Sequence, residues 1–435
     1  MVAARVLRFG SRCYGKSMRG LRFAWVALAA AAVLPAQSLH LASFDKVWTN
    51  IRDTHWQKEP GGLDWEAMRA EYRPRVERST SIEQTRGILQ EMLGRLGQTH
   101  FAIVPGGVYA ALDKKDGGPA VSGISLRVLD GEAVVTSVDP DSPAFQAGVR
   151  AGWIFSSVDG ERVKPLIAQA LGNPQIHELQ VTRAIAARLS GAPGATIHAA
   201  FLNRQDQEVA VDLRLGAPRG QLAVFGNLPP TFVSYEERRI GPAAYFRFNI
   251  FLDIPRIIPA FERTLKGCGG DCRGLILDLR GNPGGIAGMA MGMAGFLVEE
   301  ANHRLGTMYL RESSLNFVIN PRPEVFAGRV AILMDGNSAS TSEILAGGLQ
   351  DLGRARVFGT HSAAAALPSM FERLPDGDGF QYAIANYLSV NGKALEGIGV
   401  TPDVEVKLTR EALLAGRDPV IEAALSWIES ERNKP

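Results

Sequence analysis

Cysteine is scarce: three occur in 435 residues, and none has enough neighbouring ligands to form a zinc pattern. The seven histidines are scattered, with no H-x-x-x-H helix spacing, so nothing in the sequence points to a metal enzyme or a resident cofactor. An excess of either charge is also missing. Lys+Arg 47 against Asp+Glu 45 leaves +2, which gives no electrostatic reason to expect nucleic acid or an acidic membrane surface as partner. No repeat of solenoid length and no low-complexity tract is present. What remains is a globular composition, 46% hydrophobic and 21% charged, in a chain too long for one small core.

The N-terminus reads differently from the rest. Arg5, Arg8, Arg12, Lys16, Arg19 and Arg22 flank the apolar stretch Phe23–Ala36, which is 14 residues long. That is short for a membrane span and suits a secretory h-region, with Leu34-Pro35-Ala36 as cleavage site. Residues 1–36 are therefore expected to be a signal peptide, with Met18 an alternative start and an uncleaved anchor the competing reading. Cys13 precedes the h-region and is no lipoprotein cysteine. Cys268 and Cys272 could close a small loop in an oxidising compartment.

Three textures follow. Residues 37–110 carry helical patterns: Phe44, Val47, Trp48 and Ile51 share one face, as do Ile82, Ile88, Leu89, Met92, Leu93 and Leu96. Residues 111–218 break into short alternating runs such as "GISLRVL", "EAVVTSV" and "EVAVDLRL", a β-rich module with helical insertions. From 219 to 435 strands alternate with helices, which argues for an α/β core with largely parallel connections. The expected fold class is thus multidomain α/β.

Two segments of the core carry chemistry. "NSASTSEI" (Asn337–Ile344) puts four hydroxyls in five positions at a strand-to-helix turn. Ser340 and Glu343 match a helix capping box, yet free amides at a helix start also favour a serine nucleophile and its oxyanion. "LILDLRGNPGG" (Leu275–Gly285) is a buried-type strand ending in a glycine-rich turn, where bared amides can bind an oxyanion. It lacks the Lys-Ser/Thr of a phosphate loop.

Together with "LEGIGVTPDVEV" (Leu395–Val406), these segments resemble the S41 peptidases, the C-terminal processing and tricorn-core family of serine peptidases. The β-rich module resembles a PDZ domain, with Ser122, Gly123, Ile124 and Ser125 at the carboxylate-binding loop, although the usual aromatic-Gly doublet is missing. The resemblance implies a core of the ClpP/crotonase-like type, protein or peptide substrates, and Ser340 as nucleophile. It also implies oxyanion donors at the backbone amides of Gly284 or Gly285 and of Thr341.

The departure from the family is specific. Processing members use a lysine in a "GKG" element, where this chain has Ala365 within "AAAA" (Ala363–Ala366), and no lysine occurs between Lys266 and Lys393. The tricorn-like branch uses histidine and glutamate, which here match Thr99-His100 and Glu396. An imidazole is a competent base near neutral pH when a carboxylate orients it. The implied machinery is Ser340, His100, Thr99 and Glu396, with His361 the rival base. The implied function is that of an exported serine peptidase, periplasmic or extracellular. The competing readings are a non-catalytic PDZ scaffold and an esterase-type hydrolase.

Overall fold

The computed structural model describes residues 21–107, 119–171, 178–226 and 230–430, with backbone alone for 21–36. Cys13, Met18 and the basic residues up to Arg19 lie outside the described residues. Helix Leu21–Thr54 runs from the apolar stretch straight into the first amphipathic face. Among the described residues, no helix is long and apolar enough to cross a membrane.

The core is a six-stranded sheet in the order Tyr235–Ile240, Ala243–Phe248, Gly274–Asp278, Arg329–Met334, Ala355–Gly359, Val404–Glu405. The first pair is antiparallel and the remaining pairs are parallel. Gly274–Asp278 is buried at every position, because helices cover both faces of the sheet. Leu275 and Leu277 face Ile257, Phe261, Ile344 and Leu345, while Ile276 faces Val420, Ala424 and Ile428. Alternation along the strand distributes these side chains between the two layers. Gly274–Asp278 and Arg329–Met334 are neighbours, so the glycine turn and the serine turn emerge side by side at their C-terminal ends.

The helical segment is not a separate unit. Helices Leu21–Thr54, Trp65–Glu77 and Ile82–Gly94 bury Phe44, Trp48, Tyr72 and Met92 in a cluster that also takes in Leu367, Phe380 and Tyr382 of the core. The strand after them, Ala102–Val104, pairs with Gly379–Ala383. Residues 37–107 are thus sewn onto the 369–383 hairpin, and this pairing positions Thr99 and His100.

The β-rich module is an antiparallel sheet with Ile124–Leu129 at one edge and Glu208–Arg214 at the other. Helix Glu178–Ala187 packs beside the edge strand Ile124–Leu129. Cys268 and Cys272 form a disulfide.

Candidate active site

The serine turn leaves strand Arg329–Met334 and enters helix Thr341–Asp351. Three of its four hydroxyls are committed to the glycine turn. Ser338 Oγ donates to the Leu279 carbonyl, Ser342 Oγ to that of Asn282 and Thr341 Oγ1 to that of Gly285, each at 2.9 Å. The Ser340 hydroxyl has no such partner among the described residues. Its backbone stands at φ 55°, ψ −118°, a region nearly reserved for glycine. The surroundings hold it there: Ser340 N–H lies 2.9 Å from Glu343 Oε2 and 2.8 Å from the Ala365 carbonyl. The expected capping box is present, with the Glu343 carboxylate on the Ser340 amide, and the Glu343 amide also donates to the Ser340 carbonyl (2.8 Å).

Glycine is required opposite. A Cβ on Gly284 would lie 2.7 Å from Ser340 Cβ, and one on Gly285 would lie 2.2 Å from the Phe251 carbonyl oxygen. The Gly284 amide, expected as an oxyanion donor, already donates to Asn282 Oδ1 (3.0 Å). The Gly285 and Thr341 amides have no hydrogen-bond partner among the described residues; Thr341 follows Ser340 in the chain, and its Oγ1 holds the Gly285 carbonyl. Gly281, Asn337 and Ser338 are gathered by one residue. Asp335 Oδ1 accepts from Gly281 N–H (2.9 Å) and Asn337 N–H (3.0 Å), and the Asp335 amide donates to Ser338 Oγ (3.0 Å). Burial opposes the Asp335 charge, but Arg127 beside it and the Gly281 and Asn337 amides hold the carboxyl below its usual range.

Thr99, His100 and Glu396 form one chain of bonds. Glu396 Oε1 accepts from Thr99 N–H (2.6 Å), and Glu396 Oε2 accepts from Thr99 Oγ1 (2.9 Å) and Ala366 N–H (3.1 Å). Thr99 Oγ1 also lies 2.7 Å from His100 Nδ1. A hydroxyl has one proton, and here it goes to Glu396. Nδ1–H must therefore be the donor to Thr99, which leaves the His100 lone pair on Nε2. Burial first, and the charge of Arg183 second, push the imidazole down to about 4, so it is neutral across the physiological range. No hydrogen bond joins Nε2 to Ser340 Oγ in this structure; the link between them runs through the loop Ala363–Ala366.

That loop is organised by a residue that sequence reasoning gave only a capping role. Glu343 is fully buried and accepts from Ser340 N–H, Ser362 Oγ (2.6 Å), Ala364 N–H (2.9 Å) and Ala365 N–H (3.1 Å). Burial pushes its carboxyl up to about 7 against those four bonds. Ala365 packs with Leu179, Ala339 and Ala363, so the helix Glu178–Ala187 of the β-rich module closes over this loop. His361 is exposed, its Nδ1 lies 3.0 Å from the Ser362 carbonyl, and no bond links it to Ser340.

In the β-rich module the carboxylate-loop candidates are largely engaged. Ser122 N–H donates to the Leu189 carbonyl (3.1 Å) and the Gly123 carbonyl accepts from Asp139 N–H (2.8 Å). Ile124 and Ser125 pair with Val138 and Ser137. Among the described residues no cluster could hold a metal ion.

Residues 243–406 match the model of peptidase family S41, and residues 40–94 match the tricorn protease C1 domain. The chain is 27% identical to a chloroplastic C-terminal processing peptidase of Tetradesmus obliquus, over 86% of this chain and 80% of the relative. It is 26% identical to a carboxy-terminal-processing protease of Bartonella bacilliformis, over 66% of this chain and 61% of the relative. In fold it is similar to the photosystem II D1 C-terminal processing protease, with a TM-score of 0.59 at 21% identity, covering 86% of this chain and 94% of that one. The glycine and serine turns and Glu396 all fall inside the matched core. That core is thus similar to peptidase family S41, and the protein is a serine-type peptidase.

Proposed function

We infer that Ser340 is the nucleophile of an exported endopeptidase that works by acyl transfer, with His100 as its base. The observation that carries this reading is the bonded chain Glu396–Thr99–His100, which supplies an oriented neutral imidazole in a site whose lysine position is Ala365. Ser340 Oγ attacks the peptide carbonyl and passes its proton to His100 Nε2. The oxyanion forms against the amides of Gly285 and Thr341. His100 then protonates the leaving amine, the C–N bond breaks, and water releases the acyl group from Ser340 by the same route. No hydrogen bond joins His100 Nε2 to Ser340 Oγ here, in line with the loose geometry of substrate-free sites, where such bonds tighten only once substrate is in place.

The β-rich module is read as a PDZ-like domain that adds a substrate C-terminus as a strand along the edge Ile124–Leu129. Export rests on the basic, apolar N-terminal stretch. A fluorophosphonate probe tests the catalytic reading: labelling of the intact protein that disappears in Ser340→Ala supports it. No labelling of the intact protein would favour the scaffold reading, in which the loss at Ala365 marks a retired enzyme. Ester turnover without peptide turnover would favour the esterase.

A further inference from the structure

We propose that Arg183, reaching over the site from the β-rich module, binds a carboxylate of the substrate beside the scissile bond and so selects for acidic peptides. Helix Glu178–Ala187 buries Leu179 against Ala339, Ala363 and Ala365, which turns that face toward the Ser340 loop. Arg183 lies one turn along the same face, about 6 Å further on. The loop it overlooks is tied at Ala366 to Glu396, and through Glu396 to Thr99 and His100. Its charge reaches the His100 ring, where it disfavours the imidazolium.

Arg183 has no acid of its own. It makes no hydrogen bond and no ion pair among the described residues, while Asp335 and Glu396 on neighbouring elements have theirs. Asp335 is paired with Arg127 at 2.6 Å, and Glu396 is bonded to Thr99 and Ala366. Glu178, at the start of the same helix, is placed against Asp335, Arg127 and Gly336. The guanidinium remains solvent-accessible, yet desolvation lowers its pKa below the ordinary value. An unpaired, partly desolvated cation beside a neutral base carries a cost that a bound anion would remove. A planar guanidinium also matches a carboxylate in two parallel bonds. Two sources share that chemistry: an acidic side chain in the substrate and the free carboxylate of its C-terminus.

The site of binding rests on the reading of Ser340, but the test needs no turnover. Fluorescent alanine-rich decapeptides are titrated onto the Ser340→Ala protein by anisotropy. One carries a central glutamate with an amidated end, one a central glutamine with an amidated end, and one a central glutamine with a free carboxylate. The expected result is that a carboxylate peptide binds about tenfold or more tightly than the neutral one, and that this ratio falls to near one in Arg183→Gln. The arm that shows the ratio identifies the source. In Arg183→Glu the preference should pass to a peptide with a central lysine. A ratio that persists in Arg183→Gln, or equal binding of all three peptides by the parent, overturns the proposal. Failure of the fluorophosphonate test would sink the catalytic reading and leave these ratios readable.

Discussion

Arg127 Nε donates to Asp335 Oδ2 at 2.6 Å, joining two residues 208 positions apart. Arg127 belongs to the edge strand of the β-rich module, and Asp335 holds Gly281, Asn337 and Ser338 together. The module is therefore bonded to the carboxylate that keeps the glycine turn against the serine turn. Arg127→Met leaves that carboxylate in a buried place without its cation. The expected cost is about 3 kcal/mol in chemical denaturation, with a fall in kcat larger than any rise in KM. Arg127→Met combined with Asp335→Asn should recover part of the stability, and full additivity of the two losses would exclude the coupling.

His100 and His361 separate by substitution. His100→Ala should lower kcat by roughly 10²–10⁴-fold in peptide turnover, whereas His361→Ala should change it less than threefold. The reverse pattern would move the base to the loop that follows the nucleophile helix.

Glu343 gives the pH dependence its sign. Its carboxyl titrates near 7 in the folded protein, above the unfolded value. The fold then takes up a proton as pH falls from about 7, and stability declines as pH rises through that window. Activity should run the other way. Protonation removes acceptors from the amides of Ser340, Ala364 and Ala365, so the acid limb of kcat/KM is expected near 7. Glu343→Gln should flatten both profiles at a lowered rate. An acid limb that stays near 7 in Glu343→Gln would assign it elsewhere. His100, held at about 4, contributes no limb between 5 and 9.

Glu396→Gln keeps the shape but only one of the two acceptor oxygens used by Thr99 N–H, Thr99 Oγ1 and Ala366 N–H. A loss of about 10–100-fold in kcat with little change in KM is expected from steady-state kinetics. An equal loss in Thr99→Ala, not added to in the double variant, would show that the two act as one unit.

Ala365→Lys should not restore a lysine mechanism. The Ala365 side chain is packed with Leu179, Ala339 and Ala363. A lysine there overfills the contact and costs about 1–3 kcal/mol. In His100→Ala it should bring back no turnover; any rescue would mean the lysine finds Ser340 after all.

Much of this was legible in the residues. The unbroken apolar run of Gly274–Asp278 announced a strand covered on both faces, and the Gly-rich turn and hydroxyl cluster were visible as sites of bared amides. Family resemblance brought Thr99, His100 and Glu396 to the same place, and they are bonded to each other here. Glu343 caps Ser340 as the local rule has it, but three of its four donors, in Ser362, Ala364 and Ala365, come from a loop about 20 residues away, which no local rule reaches. The Gly284 amide looked free for the same reason, since only the folded turn aims Asn282 Oδ1 at it. The pairing of Ala102–Val104 with Gly379–Ala383 leaves no periodic trace in either segment, so the way the helical start is fastened to the core was not legible there.

That pairing also sets an order of events. Thr99 and Glu396 are 297 positions apart in a chain of 435, and the hydrogen bonds between them close the greater part of it into a loop. A chain emerging from its N-terminus presents His100 early and Ser340 late, but the residue that orients the imidazole comes later still. Contacts of such sequence separation form slowly and last. The Thr99–Glu396 bonds thus cannot form until the chain that follows Ser340 in the core, as far as Glu396, has been made.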